Sequence, residues 1–166
     1  MTTTLPGNPA LRDPAHQVSP KAPMLWAIGA GVRCAIVLIA LVVVQVMDWW
    51  DVPWWLWPLL VAASIAYVVA MPRVRYRIHR WESTDTAVYT QTGWLSRERR
   101  IAPMSRVQTV DFQQTAVDRL FGLASVTVTT ASAAGPLRIS DVDKEVADRL
   151  VEDLTRRAEA EAGDAT

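Results

Sequence analysis

Arg97, Arg99 and Arg100 fall within four residues, with Glu98 among them and Arg106 and Gln108 a few positions on. Guanidinium groups at this density present forked donors that fit phosphate and carboxylate oxygens. The stretch is therefore the best candidate in the chain for holding an anionic lipid headgroup, another anionic ligand or an acidic partner. The competing reading is a solvated strand face, with Glu98 as the ion partner of its neighbours. Arg106 and Gln108 admit two roles as well, hydrogen-bonding loops together or touching a ligand. Catalytic patterns are absent. No Ser/His/Asp, Cys/His or paired-carboxylate arrangement stands out, and no glycine-rich loop is present to cradle a phosphate. Cys34 is the only cysteine, which excludes a disulfide scaffold or thiolate zinc site within one chain. His16 and His79 are isolated and expected to face solvent. Asp141, Asp143, Glu145 and Asp148 cluster where a helix is expected to start, and acids there suit the helix dipole. They lack the alternating loop a calcium site needs. No enzyme activity, cofactor or metal is expected.

The residues that must carry such a patch to its target are upstream. Five tryptophans, Trp49, Trp50, Trp54, Trp55 and Trp57, cluster where two apolar runs, 24–47 and 54–71, meet. Tryptophan has an apolar body and one N–H donor, so it settles where hydrocarbon meets water. A helix crosses the hydrocarbon layer with about 20 apolar residues, and both runs qualify. Arg33 interrupts the first. It is expected to snorkel to the headgroups, with Trp26 as interfacial anchor and residues 34–50 crossing. A cleaved signal peptide fits poorly, because the run lacks a small-x-small end and leads straight into a second span. The tip 48–53 holds two aspartates and no Lys or Arg, whereas Arg73, Arg75 and Arg77 follow the second span. The positive-inside rule then places both termini in the cytoplasm and the tip 48–53 outside. Those three arginines are explained by sorting alone.

Whole-chain charge is balanced, with 17 basic and 17 acidic residues, so nucleic acid is not an expected partner. The balance is uneven: eight arginines lie in 73–106 and nine acids in 141–164. Residues 1–22, rich in Pro and Thr, read as a disordered cytoplasmic tail. Residues 23–72 read as the membrane hairpin, 73–157 as a sheet domain and 158–166 as a flexible tail. Within the domain, residues 73–80 alternate Arg and His with Val, Tyr and Ile, as a strand would. Further strands are expected at 87–92, 94–103, 107–112, 124–130 and 137–140. A helical turn at 115–121 stops at Gly122. A final helix, capped by Ser140 or Asp141, carries the apolar stripe Val142, Val146, Ala147, Leu150, Val151 and Leu154. The expected architecture is α+β: a two-helix transmembrane hairpin, then an antiparallel β-sandwich or open barrel capped by a C-terminal amphipathic helix.

The order of these features, with Pro103-x-x-Arg106-Val107-Gln108, then Arg119-Leu120-Phe121-Gly122-Leu123-Ala124, then the strand from Val126, resembles the YdbS-like family of bacterial pleckstrin-homology (PH)-like membrane proteins. The similarity covers about residues 24–155. It implies a PH-like fold of two packed antiparallel sheets and a C-terminal helix, and it implies no activity. Function is then expected to be that of a membrane-anchored interaction or assembly module without catalysis. Its expected partners are membrane lipids and a protein, which is either another polypeptide or a second copy. Binding of anionic lipid or ligand by the domain is the alternative. A place as accessory subunit in export, envelope stress or antimicrobial resistance is a third.

Overall fold

The computed structural model describes residues 12–131 and 135–164, with side chains to residue 160. The chain divides into two compact units, one of residues 20–77 and one of 12–19 with 78–164. The expected tail 1–22 therefore falls in three parts: residues 1–11 lie outside the described residues, 12–19 belong to the sheet unit and 20–22 to the helix unit.

The first unit is an antiparallel pair of helices, α1 (Ala22–Val46) and α2 (Leu56–Ile78), each long and apolar enough to cross a membrane. It is closed at both ends. At one end Trp57 Nε1 donates to Gln45 Oε1 at 3.1 Å; at the other the Arg75 guanidinium stacks 4.2 Å above the Trp26 ring. A cation–π contact of this kind is worth about 0.5–2 kcal/mol. The strand expected over residues 73–80 is instead the last two turns of α2, which runs through Pro72 to Ile78. Arg-Val-Arg-Tyr-Arg-Ile suits either period, but burial decides for the helix. Met71 and Ile78, seven apart, are buried, while Arg73 and Arg77, four apart, are exposed. Extending an existing helix also avoids a new nucleation step. Arg73 Nη1 donates to the Val69 carbonyl at 2.6 Å, adding a donor in the turn that Pro72 disrupts.

The second unit holds two sheets. Sheet A has the order β1-β2-β3-β4, from β1 (His16–Gln17), β2 (Arg80–Ser83), β3 (Ala87–Gly93) and β4 (Arg97–Pro103). Sheet B has the order β5-β6-β7, from β5 (Val107–Gln113), β6 (Leu123–Thr130) and β7 (Leu137–Asp143). All ladders are antiparallel, and the sheets are not closed into a barrel. Between them lie Val88, Ala102, Val126, Val128, Leu137 and Ile139, covered by α4 (Lys144–Asp164) through Ala147, Leu150 and Leu154. The alternation expected of β6 holds for Val126 and Val128, although Ser125 is buried too.

Two short signals acted as their chemistry dictates. Thr115 Oγ1 accepts from Asp118 N at 3.1 Å while Asp118 Oδ2 accepts from Thr115 N at 2.9 Å, a reciprocal cap on α3 (Ala116–Phe121). Gly122 ends that helix at φ +66. Its carbonyl then accepts from Lys144 N at 3.0 Å, satisfying one of the donors that open α4. The expected caps Ser140 and Asp141, and Val142 of the expected stripe, lie instead in β7. There an irregularity against β6 leaves Asp141 at φ +60. Strand pairing outcompeted the helix at these residues because Ala124 and Leu123 offer partners as far as Asp143. On α4, Lys144 Nζ bonds Asp148 Oδ2 at 2.8 Å, and that hydrogen bond, reinforced by the carboxylate charge, raises the lysine pKa. The helix continues through residues 158–164, where a flexible tail was expected.

Candidate functional site

Strand geometry divides the arginine stretch. Successive side chains of β4 point to opposite faces, so Arg97 and Arg99 share one face and Arg100 the other. In register, Arg99 faces Gln91 and Arg100 faces Thr90. Arg99 Nε donates to Gln91 Oε1 at 2.7 Å, and its Nη2 pairs with Asp13. Gln91 is only 1% exposed and passes its own amide N–H to the Ile78 carbonyl at 3.0 Å. Arg99 is thus the outer link of a chain of hydrogen bonds that fastens the N-terminal segment to the sheet. Arg100 Nε pairs with Glu98 Oε1 at 2.7 Å, the role expected of Glu98, and Arg100 Nη1 reaches the Pro136 carbonyl at 3.3 Å. Arg97 is exposed, and no ion pair is found for it among the described residues. Arg106 stands in the 3-10 turn Met104–Arg106, where its carbonyl accepts from Ala131 N at 3.1 Å. Gln108 is exposed at an irregularity of β5, in the other sheet. The five candidates are therefore distributed over two sheets and both faces of β4.

The N-terminal segment was missed as part of the domain. Glu82 takes the Arg12 guanidinium on Oε1 and Ala15 N on Oε2, the latter at 3.0 Å, and Arg80 Nη1 reaches the Pro14 carbonyl at 3.4 Å. His16 then packs its ring 5.0 Å from that of Trp81, and Ser19 N and Oγ bond the Asp141 carbonyl and Asp143 Oδ1 at 3.0 and 2.9 Å. A two-residue strand has no periodicity to detect. The only sequence signal was the pair Arg12-Asp13, which meets the opposite charges Glu82 and Arg99. His79, expected in solvent, is 5% exposed. It follows the end of α2 directly and enters the domain with Ile78, whose carbonyl is already engaged by Gln91.

Of the interfacial residues, Trp49, Trp50, Trp54 and Trp55 are exposed around the hairpin tip; Arg33 within α1 and Arg73 and Arg77 in the last turns of α2 are exposed as well. Trp57 is held by Gln45 and Trp26 is buried with Arg75 on its face. Among the described residues no cluster of three His, Cys, Asp or Glu side chains is gathered. A groove of about 470 Å³ runs between α4 and the inner side of β1 and β2, lined by His16, Trp81, Ser83, Leu150 and Arg156. Its charges are of both signs, and Arg156 is paired with Asp153 at 2.5 Å, so no ligand charge is selected there.

Other surfaces expose apolar side chains without charge pairing. Leu120 on α3 is 84% exposed and Val117 beside it 48%; Phe112 at the end of β5 is 38% exposed. At the β3–β4 hairpin tip Leu95 is 83% exposed and Trp94 39%. β5 and β7 are the two edge strands of sheet B; of the seven residues of β5 only Asp111 is charged, whereas β7 carries Arg138, Asp141 and Asp143. Exposed apolar groups and an open strand edge are features of contact surfaces.

Two apolar helices followed by paired antiparallel sheets and a closing helix define a membrane-spanning protein with a PH-like domain, and the chain belongs to the bacterial PH domain family, matched over residues 25–158. Among its relatives is the UPF0699 transmembrane protein YdbS of Bacillus subtilis (strain 168), 31% identical over 150 residues, which span 87% of this chain and 93% of the relative. No solved structure matches the chain.

Proposed function

We propose that the protein is a non-catalytic interaction module held at the inner membrane face, which docks a partner protein or a second copy along the β5 edge of sheet B. The observation that carries this reading is β5 itself. It pairs with β6 alone among the described strands and carries neither lysine nor proline, the residues that usually blunt an edge. Phe112 at the end of β5 and, just after it in the chain, Val117 and Leu120 of α3 are exposed apolar side chains that could anchor a partner. The cytoplasmic placement is supported by the charge contrast between the tip 48–53, with two acids and no base, and the arginines of the last turns of α2.

A photo-crosslinking residue introduced at Thr109 or Gln113 of the full chain in cells tests the reading. Discrete adducts from both positions, and none from the exposed Thr86 in the turn between β2 and β3, are expected. Equal labelling at all three positions would count against a β5 interface.

The lipid alternative, as first framed on Arg97, Arg99 and Arg100, has less support. Arg99 and Arg100 spend their donors inside the domain, and one free guanidinium makes a poor headgroup site.

A further inference from the structure

The tip of the β3–β4 hairpin has a composition that the interaction reading does not use. Residues 94–96 are Trp-Leu-Ser, preceded by Gly93 and followed by Arg97. We propose that this tip is a lipid-seated wedge: Trp94 and Leu95 enter the membrane interface and Arg97 meets headgroup phosphates. The proposal rests on the two helices being membrane spans, and it is independent of any protein partner.

The argument is topological. Gln17 and Gln91 both stand level with Arg80 in sheet A. Moving past that level in the same direction, β1 reaches Ser19, β2 leads back to Ile78, and β3 reaches Gly93. Both connections to the apolar helices therefore leave the sheet at the end where the tip projects. α1 begins at Ala22, and α2 has only seven residues from Met71, the last of its apolar run, to Ile78. At a rise of about 1.5 Å per residue, those seven residues make a connection only about 10 Å long between the apolar run and the start of the sheet unit. A three-residue loop and a leucine side chain bridge most of that distance, since a strand advances about 3.3 Å per residue.

Chemistry agrees with position. The turn at the opposite end of the same sheet is Thr84-Asp85-Thr86, and the Asp85 carboxylate pairs with Arg157. The turn at the helix end carries no acid, a tryptophan and a leucine that is 83% exposed. Trp, Leu and Arg together are the composition of a membrane interface. Gly93 has φ +128, and a Cβ there would lie 1.8 Å from the Ser96 carbonyl oxygen, so this turn requires glycine.

The full chain with Cys34→Ser provides a cysteine-free background for the test. Single cysteines are placed at Leu95, at Thr86 of the far turn and at Val61 within α2, labelled with an environment-sensitive nitrobenzoxadiazole dye. Each variant is reconstituted in phosphatidylcholine–phosphatidylglycerol vesicles carrying spin-labelled acyl chains. Quenching at position 95 is expected to exceed that at 86 several-fold and to be strongest for the shallow spin label. Quenching at 61 is expected to be strongest for the deep one. A dye at 95 quenched no more than at 86, with 61 quenched normally, overturns the wedge and leaves the membrane spans standing. A blue-shifted dye at 95 that lipid-borne spins cannot reach also overturns it, and assigns the tip to a protein contact. Absence of quenching at 61 would remove the spans and the wedge together.

Discussion

Replacing Arg99 by methionine separates a structural arginine from a ligand-binding one. Methionine keeps most of the aliphatic packing and removes, among others, the hydrogen bonds to Gln91 Oε1 and to Asp13. The two losses differ in kind. The Arg99 and Asp13 side chains are 35% and 49% exposed, so that pair is screened by solvent and worth about 0.2–1 kcal/mol. Gln91 is 1% exposed, and leaving its carbonyl oxygen without a donor costs about 1–3 kcal/mol. The buried term wins. Arg99→Met should therefore destabilise the sheet domain by more than Asp13→Asn, which removes only the exposed pair. For a domain of this size about 1 kcal/mol moves the transition by about 4–8 °C, within reach of scanning calorimetry on the full chain in detergent. Arg99→Lys should fall between, since the single Nζ cannot occupy both the Nε and the Nη2 positions from which arginine reaches Gln91 and Asp13. The reasoning fails if Asp13→Asn lowers the transition as much as Arg99→Met does, or if Arg99→Met leaves it unmoved.

Gly93→Ala places a methyl group against the Ser96 carbonyl at a positive φ, so it should cost about 1–3 kcal/mol and speed amide exchange in β3 and β4, read by mass spectrometry. Leu154→Ala empties a fully buried position under the two sheets and should cost about 2–5 kcal/mol, seen as a lowered calorimetric transition. Thr115→Ala removes the side-chain half of the α3 cap and should cost about 0.5–2 kcal/mol, again by calorimetry. Asp148→Asn should lower the Lys144 pKa, measured by NMR titration of its side chain, because the bond to Asp148 is what raises it. The sign is that of a raised lysine: any stability from this pair is complete below the ordinary lysine pKa and is lost as pH rises through the folded value. The variant's deficit should therefore be constant between neutrality and about pH 9, well below the ordinary lysine range.

The chain's pattern alone determined the membrane hairpin, the strands β3 to β6 and the Thr115-to-Gly122 turn, because each is set by local chemistry. An apolar run long enough to span, a period of two, a reciprocal cap and a left-handed glycine need no distant partner to be recognised. Tertiary structure decided the rest. Residues 73–78 satisfy both periods, and the contact of Arg75 with Trp26, far away in sequence, belongs to the helical choice. Residues 141–143 joined β7 because β6 extended a ladder to them. Arg12, Asp13 and His16 became part of the sheet domain through partners at Glu82, Arg99 and Trp81, more than sixty residues on. Pairings within the hairpin and with the N-terminal segment also determined which guanidinium has no ion pair among the described residues. Three arginines in four residues looked like one patch, but Gln91, Asp13 and Glu98 took Arg99 and Arg100, leaving Arg97 at the hairpin base. Residue types name the groups that can bind an anion; only the fold says which donors its own carbonyls and carboxylates have already claimed.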